Sequence, residues 1–346
     1  MKKNIFDIYT INKKKINFDN LESFDSNKIA LVLSNNPFLL MKHWIKFQQE
    51  WVNKIYKQFK DHDTYIILIY LISKSWQDSS NLFKFNSIDE YYSQSEISLQ
   101  NISLFEMSKN LKIPKETVRR KLLELEKKNI ITREGKKIIL AKLALNLQKP
   151  ETSIKRLSLF FEKLSILLST EDWFGAPVSK ENIELYFNKY YTVFWNRYFK
   201  MQIPYLTRWK SVFGDLESWV IWANMGINQS INLEKISKSM SKKINLSGDK
   251  KKNLYFENLQ KNEPNQGVNA LSIAEISGIP RATVMRKLKR LLNEKIVKRN
   301  KKLEYILTNQ GKLNNKIKAN YLINQKYIAL FVTDIFNLIK NSPLKI

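Results

Sequence analysis

The chain has 346 residues, 43% of them hydrophobic and 12% aromatic, which is enough apolar surface for two or three packed domains. It contains no cysteine, which excludes disulfides, thiolate zinc sites and a cysteine nucleophile. The formal charge of +27 at pH 7 favours a polyanionic partner, although AT-rich codon usage would also supply many of the lysines.

The N-terminal segment, residues 1–28, is basic but lacks the continuous apolar run of a signal peptide. The longest apolar stretch of the chain, YIILIYLI at 65–72, is far too short to span a bilayer. The absence of cysteine fits a reducing compartment. We therefore expect a cytoplasmic protein without a membrane partner.

Aromatic residues are concentrated in two stretches. Trp44, Phe47 and Trp51 recur at helical spacing, and YFNKYYTVFWNRYF at 186–199 contains eight aromatics in fourteen residues. Such a surface could line an effector pocket or a dimer interface. Packing of the rings between flanking helices is the favoured interpretation.

Metal-binding and catalytic residue patterns are weak in this chain. Asp61, His62 and Asp63 are metal-ligating types, but adjacent positions on a helix do not converge on one point, so a surface histidine near a helix start is predicted. There is no phosphate-binding Gly-x-x-x-x-Gly-Lys run, and two histidines do not support a hydrolytic triad or a zinc cluster. The sequence predicts a non-enzyme without metal or cofactor.

Residues 102–141 predict a helix, a turn, a second helix and a β-hairpin. A short helix around Phe105 to Leu111 is broken near Pro114. The apolar face of the helix that follows recurs at helical spacing, at Val118, Leu122 and Leu125. Two β-branched runs then flank a charged turn containing Gly135, which favours a hairpin.

Residues 268–310 repeat this order 166 positions later. IPRATVMRKLKRLLNEKIV matches the earlier IPKETVRRKLLELEKKNII in Ile, Pro, Thr, Val, Arg, Lys, Leu and Ile. The expected buried stripe is Val284, Leu288 and Leu291. Seven of the ten arginines of the chain fall within the two windows, although AT-rich codons do not favour arginine.

The similarity extends to both sides of these windows. FKDHDTYIIL (59–68) matches FGDLESWVIW (213–222), and IKRLSLFFEKLSILL (154–168) matches QKYIALFVTDIFNLI (325–339), a closing helix in each copy. The second copy has extra polar residues, 238–267, which are predicted to form a surface loop. We therefore divide the chain into an N-terminal segment and two repeats, at 1–28, 29–168 and 169–346.

Both windows resemble the winged helix-turn-helix domains of bacterial transcription regulators, where Ile-Pro-x-x-Thr-Val-x-Arg-x-Leu marks the turn and the start of the recognition helix. The resemblance covers about 80 of the 346 residues. It implies a mainly α fold with small β-hairpin wings, arranged as an internally duplicated tandem winged helix-turn-helix with flanking helices. It also implies that the recognition helix enters the major groove of double-stranded DNA and that the wing follows the backbone.

Carried over position by position, the resemblance implies one set of DNA-contacting residues in each copy. Arg120 and Arg286 take the same place in the pattern, and arginine can grip guanine or phosphate with two hydrogen bonds. Thr117 and Thr283 are expected at phosphate or at backbone N–H groups of the helix end. The full set is Lys115, Thr117, Arg119, Arg120, Lys121, Arg133, Lys136 and Lys137 in the first copy, and Arg281, Thr283, Arg286, Lys287, Arg290, Arg299, Lys301 and Lys302 in the second.

One position departs from the family pattern. Many winged-helix sequences place glycine between the recognition helix and the first wing strand, where this chain has Asn129 and Lys295. Asparagine tolerates a left-handed backbone fairly well and lysine poorly. We therefore expect the chain to turn differently at the second boundary.

Two copies in one chain suggest a covalent pseudo-dimer with an asymmetric DNA target. The leading interpretation is a sequence-specific transcription regulator. A plasmid- or phage-type replication initiator with two winged helices uses the same groove contacts and stays an alternative, whereas an architectural protein-interaction subunit is disfavoured by the concentrated arginines. Further self-association and an effector ligand are left open.

Overall fold

The computed structural model describes most of the chain and is mainly helical. It covers residues 9–11, 14–16, 24–36, 39–76, 87–150, 152–170, 175–241, 267–308 and 310–342, without the side chains of 9–11, 14–16, 41 and 232–241. Within these ranges the strands form three small antiparallel sheets.

The elements of the first half are β1 (Tyr9–Ile11), β2 (Lys14–Ile16), α1 (Ser26–Asn35), α2 (Lys46–Phe59), α3 (His62–Ser75), α4 (Ile88–Ser93), β3 (Glu96–Leu99), α5 (Leu104–Leu111), α6 (Lys115–Lys127), β4 (Ile131–Glu134), β5 (Lys137–Ala141), α7 (Lys142–Leu147) and α8 (Ser153–Thr170). A π-helical stretch, Leu40–Ile45, leads directly into α2. Those of the second half are α9 (Lys180–Lys189), α10 (Tyr191–Phe213), α11 (Leu216–Ser241), α12 (Ala270–Ser277), α13 (Arg281–Asn293), β6 (Val297–Arg299), β7 (Tyr305–Leu307) and α14 (Leu313–Lys340). The sheet orders are β1-β2, β3-β5-β4 and β6-β7.

The two aromatic stretches form the centre of the core. Trp44 and Trp195 are fully buried and Trp51 is 3% exposed. The Trp51 and Trp195 rings meet edge to face with their centroids 5.7 Å apart, so α2 of the first half packs against α10 of the second. This confirms the prediction that the rings serve core packing.

A buried polar pair lies where the halves meet. Gln202 Nε2 lies 3.4 Å from Gln48 Oε1 and donates to the Tyr198 hydroxyl at 2.7 Å. Gln48 and Gln202 take matching places, each eleven residues before the final phenylalanine of its helix, Phe59 or Phe213. The contact between the halves is therefore made by corresponding positions of α2 and α10.

The helices α3 and α11 begin in the same way. A left-handed residue ends the preceding helix, Lys60 with φ 57° in one case and Gly214 with φ 78° in the other. The next residue, Asp61 or Asp215, caps the new helix by accepting from the backbone N–H three residues later, at 2.9 and 2.8 Å. Burial alone would raise the pKa of each carboxyl, but these and further hydrogen bonds outweigh it and lower both pKa values.

The predicted surface position of His62 is wrong. Its side chain is 3% exposed, and its ring lies against Tyr56 with the centroids 4.9 Å apart. Its Nδ1 lies 3.8 Å from Glu217 Oε1 at the start of α11. The histidine is buried because the starts of α3 and α11 pack together, which a single-helix pattern does not reveal.

The positions of individual helices can be compared with the predicted segments, whereas the division into two repeats stays a prediction. Helices α8 and α14 lie where the closing helices were expected. The predicted loop 238–267 begins too early, because α11 continues to Ser241, and residues 242–266 lie outside the described part of the chain. Most of the segment 1–28 is also outside it, but α1 begins within that segment, at Ser26.

Candidate nucleic-acid interface

Each window places two helices around a short turn of the same conformation. Helix α5 ends at Lys112, with φ 53°, and α6 begins after Pro114, with φ −53°. The matching residues Gly278 and Pro280 have φ values of 74° and −54°. A left-handed residue stops the first helix and proline sets the entry to the next, so both turns aim their second helix alike.

The predicted buried stripes of α6 and α13 are confirmed. Six side chains are fully buried, namely Val118, Leu122 and Leu125 in α6 and Val284, Leu288 and Leu291 in α13. Because the stripe fixes the rotation of each helix, corresponding positions face solvent in both.

The outer face of α6 carries basic residues, one of which is paired. Lys115, Arg119 and Arg120 are exposed. Arg119 Nη2 donates to Glu116 Oε1 at 2.5 Å, and this hydrogen bond lowers the pKa of the Glu116 carboxyl. Arg120 makes no hydrogen bond or ion pair with the residues that the structure describes, so its guanidinium is available to a ligand.

The outer face of α13 has no acidic residue. Arg281 and Arg286 are exposed, and neither forms a hydrogen bond or ion pair within the described ranges. Met285, which takes the place of Arg119, is 41% exposed. The second helix therefore presents two unpaired arginines beside an apolar side chain.

Lys121 and Lys287 do not lie on the outer faces where DNA contact was predicted. Their side chains are 14% and 13% exposed, and each is bonded to the aspartate that caps α3 or α11. Lys121 Nζ lies 3.1 Å from Asp61 Oδ2, and Lys287 Nζ lies 2.7 Å from Asp215 Oδ2. The two lysines tie α6 to α3 and α13 to α11, which is a structural role.

Arg290, four residues after Arg286, is 40% exposed but is engaged within the chain. Its Nη1 lies 3.1 Å from Asp215 Oδ2, and its Nη2 donates to the backbone carbonyl of Phe213. Asp215 thus binds two cationic side chains of α13 at once. This pairing accounts for Arg290 without a nucleic acid.

The two threonines do not cap their helices. No side-chain hydrogen bond caps α6 or α13, and the cap position of each is a proline. Thr117 and Thr283 are half-buried in the turn that follows. The expectation that their hydroxyls satisfy free backbone N–H groups is therefore not met, while the phosphate contact stays a prediction.

The hairpins β4–β5 and β6–β7 take the places of the two predicted wings and are called the first and the second wing. The first wing is short and largely ion-paired. Gly135, with φ 63°, turns the chain between β4 and β5. Arg133 Nη2 lies 2.5 Å from Glu126 Oε2, and Lys137 Nζ lies 3.0 Å from Glu134 Oε2. Lys136 is exposed at the tip.

The second wing has a longer tip of five residues, 300–304, between β6 and β7. Arg299, in β6, donates from Nη2 to the Tyr305 hydroxyl at 2.8 Å and lies over that ring. Lys301 and Lys302 are exposed at the tip. The predicted wing cations are therefore at the surface in the second wing, with Arg299 held against Tyr305.

The helix-to-wing boundaries turn alike, contrary to the expectation for lysine. Asn129 has φ 54° and Lys295 has φ 56°. In each case the next N–H bonds to a carbonyl of the preceding helix, from Ile130 to Leu125 at 3.0 Å and from Ile296 to Leu291 at 3.3 Å. The hydrogen bond and the burial of the following isoleucine, Ile130 or Ile296, stabilise the left-handed backbone of the residue before it. Lysine does not favour this conformation by itself.

Acidic residues at the starts of α3 and α11 interact with the other half of the chain. Asp63 of α3 binds Lys210 of α10 at 2.6 Å. The matching pair in the other direction is Glu217 of α11 and Tyr56 of α2, where burial and then the charge of Glu217 raise the pKa of the phenol. These interactions join the two halves of the chain at corresponding positions.

Sequence reasoning missed Asp61 and Asp215 as the residues that position α6 and α13. The signal was present in FKDHDTYIIL and FGDLESWVIW, where an aspartate precedes a hydroxyl residue by three positions, a typical helix-start pattern. It did not identify their partners, because Lys121 and Lys287 are about 60 and 70 residues further along the chain.

Comparison with known proteins gave no match, whether with family models, curated proteins or solved structures. In the described part of the chain, no helix is long and apolar enough to cross a membrane. The same part contains no group of three or more His, Cys, Asp or Glu side chains that could hold a metal ion.

Proposed function

We propose that this chain is a sequence-specific double-stranded DNA-binding protein that acts as a covalent pseudo-dimer of two winged helix-turn-helix units in transcriptional regulation. The observation that carries the proposal is the matched pair Arg120 and Arg286. Each is exposed and unpaired among the described residues, opposite the same buried stripe, on a helix that follows the same turn. Arginine at that place can read a guanine edge with two hydrogen bonds.

The paired side chains narrow the predicted interface. Lys121, Lys287 and Arg290 hold the scaffold, and the carboxylates of Glu126 and Glu134 partly neutralise the first wing. The residues that keep a proposed DNA contact are Lys115, Thr117, Arg119, Arg120 and Lys136 in the first unit, and Arg281, Thr283, Arg286, Arg299, Lys301 and Lys302 in the second.

The interactions of Asp63 with Lys210 and of Glu217 with Tyr56 support a local twofold arrangement of the halves, and with it one continuous site on DNA. Two recognition helices presented about a local twofold axis would enter successive major grooves, roughly 10 base pairs apart. Because Lys115, Glu116 and Arg119 correspond to Arg281, Ala282 and Met285, the two half-sites would differ in sequence. A cytoplasmic location accompanies this proposal.

The test is selection of duplex fragments from a random pool by the purified full chain, followed by sequencing and footprinting. We expect an asymmetric site with two protected segments about one helical turn apart, bound by one chain. Sites at promoters would support a regulator, whereas repeated sites at an origin would support the replication initiator. A single short segment that depends on one unit, or a pool without enrichment, would contradict the proposal.

A further inference from the structure

The tip of the second wing carries an exposed apolar side chain in a backbone conformation that does not suit it. Leu303 is 70% exposed, and its φ is +62°. A left-handed backbone is unfavourable for leucine, whereas glycine adopts it freely. The first wing has glycine at its turn, Gly135 with φ 63°. Neither folding nor solubility accounts for a leucine at this place.

The tip is held rigidly by its neighbours. The Asn300 side-chain oxygen accepts from the backbone N–H groups of Lys302 and Glu304, both at 2.9 Å. The Asn300 amide donates to Glu304 Oε2 at 2.9 Å, and Gly267 N donates to the same oxygen at 2.8 Å. These bonds fix the loop on both sides of Leu303, so the apolar side chain is presented with little conformational freedom to lose on binding.

The charges around the tip indicate the kind of surface that it meets. Lys301 and Lys302 are exposed immediately before Leu303. The carboxylate of Glu304 is bonded to Asn300 and Gly267, and those hydrogen bonds lower its pKa. An apolar side chain beside two lysines matches a groove whose walls are phosphate and whose floor is the edges of stacked bases.

We propose that Leu303 is a wedge that enters the minor groove of the bound DNA and partly separates two stacked base pairs, while Lys301 and Lys302 bind the flanking phosphates. This inference rests on the proposed function, because it concerns the same DNA complex. Flexible pyrimidine–purine steps open most easily, so the wedge selects a TA or CA/TG step beyond the second half-site. The first wing has no such side chain, so the DNA is kinked at one end.

The experiment uses the full chain and the duplex that it selects from a random pool. Fluorescence transfer between the duplex ends measures the bend, and 2-aminopurine at the flexible step reports unstacking. We expect the wild-type protein to bend the duplex by roughly 20° or more and to increase the 2-aminopurine signal. Leu303→Ala should lose most of both signals and keep both footprints.

Two further variants separate the wedge from folding and from general apolarity. Leu303→Gly suits the left-handed backbone, so its melting temperature should not fall, yet the bend should be lost. Leu271→Ala removes another exposed leucine, 51% exposed on α12, and should keep the bend. An unchanged bend with Leu303→Ala, on a duplex that is still bound, overturns the wedge alone. Failure of the wild-type chain to select any duplex overturns the proposed function together with it.

Discussion

The helix pairs α5–α6 and α12–α13 have turns of the same conformation but differ in how their basic side chains are paired. Helix α6 contains five Lys or Arg and three Glu residues, whereas α13 contains five Lys or Arg and no acidic residue. In α6 Arg119 is bonded to Glu116, and in the first wing Arg133 is bonded to Glu126. Helices that follow turns of the same conformation therefore need not contribute equally to DNA binding. We expect the second unit, whose cations are less paired, to supply most of the affinity for DNA.

The scaffold aspartates should give the largest effect of any single substitution. Asp215→Ala removes a helix cap and leaves Lys287 and Arg290 without their carboxylate, so the free energy of unfolding should fall by roughly 2 to 3 kcal/mol. Asp61→Ala should cost less, because Lys121 keeps its ion pair with Glu124 at 2.8 Å. Urea unfolding measures the free energy of unfolding of both variants. An equal loss would contradict the expectation that Asp215 stabilises the fold more than Asp61.

The same two carboxylates predict a dependence of stability on pH. Their pKa values are lowered in the folded chain, so the stability that they contribute is present above the unfolded pKa of about 3.9 and is lost as the pH falls through the folded values. Wild type should therefore lose free energy of unfolding below about pH 4. In the double variant Asp61→Ala/Asp215→Ala, the free energy of unfolding should fall less steeply with decreasing pH. An unchanged pH dependence would assign the acid sensitivity to other groups.

The matched arginines should differ in their effect on DNA affinity. Arg286→Ala should weaken binding to the selected duplex by about 1 to 3 kcal/mol, with relaxed preference at one base pair. Arg120→Ala should cost less than Arg286→Ala, because the carboxylate of Glu116 lies on the same face of α6 and repels the DNA, whereas α13 has no acidic residue. Competition binding against variant duplexes gives both values. A larger loss for Arg120→Ala would reverse the proposed ranking of the units.

The dependence of affinity on salt should also separate the two wings. Each phosphate contact contributes about −0.9 to the slope of log affinity against log salt, and two engaged units should give a total between about −6 and −10. Lys301→Ala/Lys302→Ala should make the slope shallower by about 2, and Lys136→Ala by about 1 at most. If both variants change the slope by the same amount, the two wings contact the same number of phosphates, which would contradict the unequal contribution of the two units.

The smallest expected effect is a gain of affinity. Glu116→Ala removes a negative charge from the outer face of α6 and releases Arg119, so binding to the selected duplex should strengthen slightly. Glu124→Ala is the matched control, because Glu124 binds the scaffold residue Lys121 instead. If Glu116→Ala weakens binding, Glu116 itself contacts a base.

Periodicity was sufficient to predict the local order of elements and the buried faces of α6 and α13. The helical spacing of Val118, Leu122 and Leu125 is a local pattern, so their burial can be predicted without knowledge of the tertiary structure. The role of Lys121 could not be predicted in this way, because its partner Asp61 reaches it only through tertiary packing. Lys295 was misjudged for a related reason, since burial of the following isoleucine overrides the preference of a single residue.

The junction between the halves is built from buried side chains and direct ion pairs, including Gln48 with Gln202 and Asp63 with Lys210. If both units bind one duplex, their separation is therefore set by packed helices and cannot stretch as a tether would. DNA turns once in about 10.5 base pairs, so inserting about five base pairs between the half-sites would move one of them to the opposite side of the duplex. The chain should then hold one half-site and release the other. Adding a whole turn should not restore full occupancy, because it returns the half-site to the same side of the duplex but displaces it by about 34 Å, which a rigid junction cannot span.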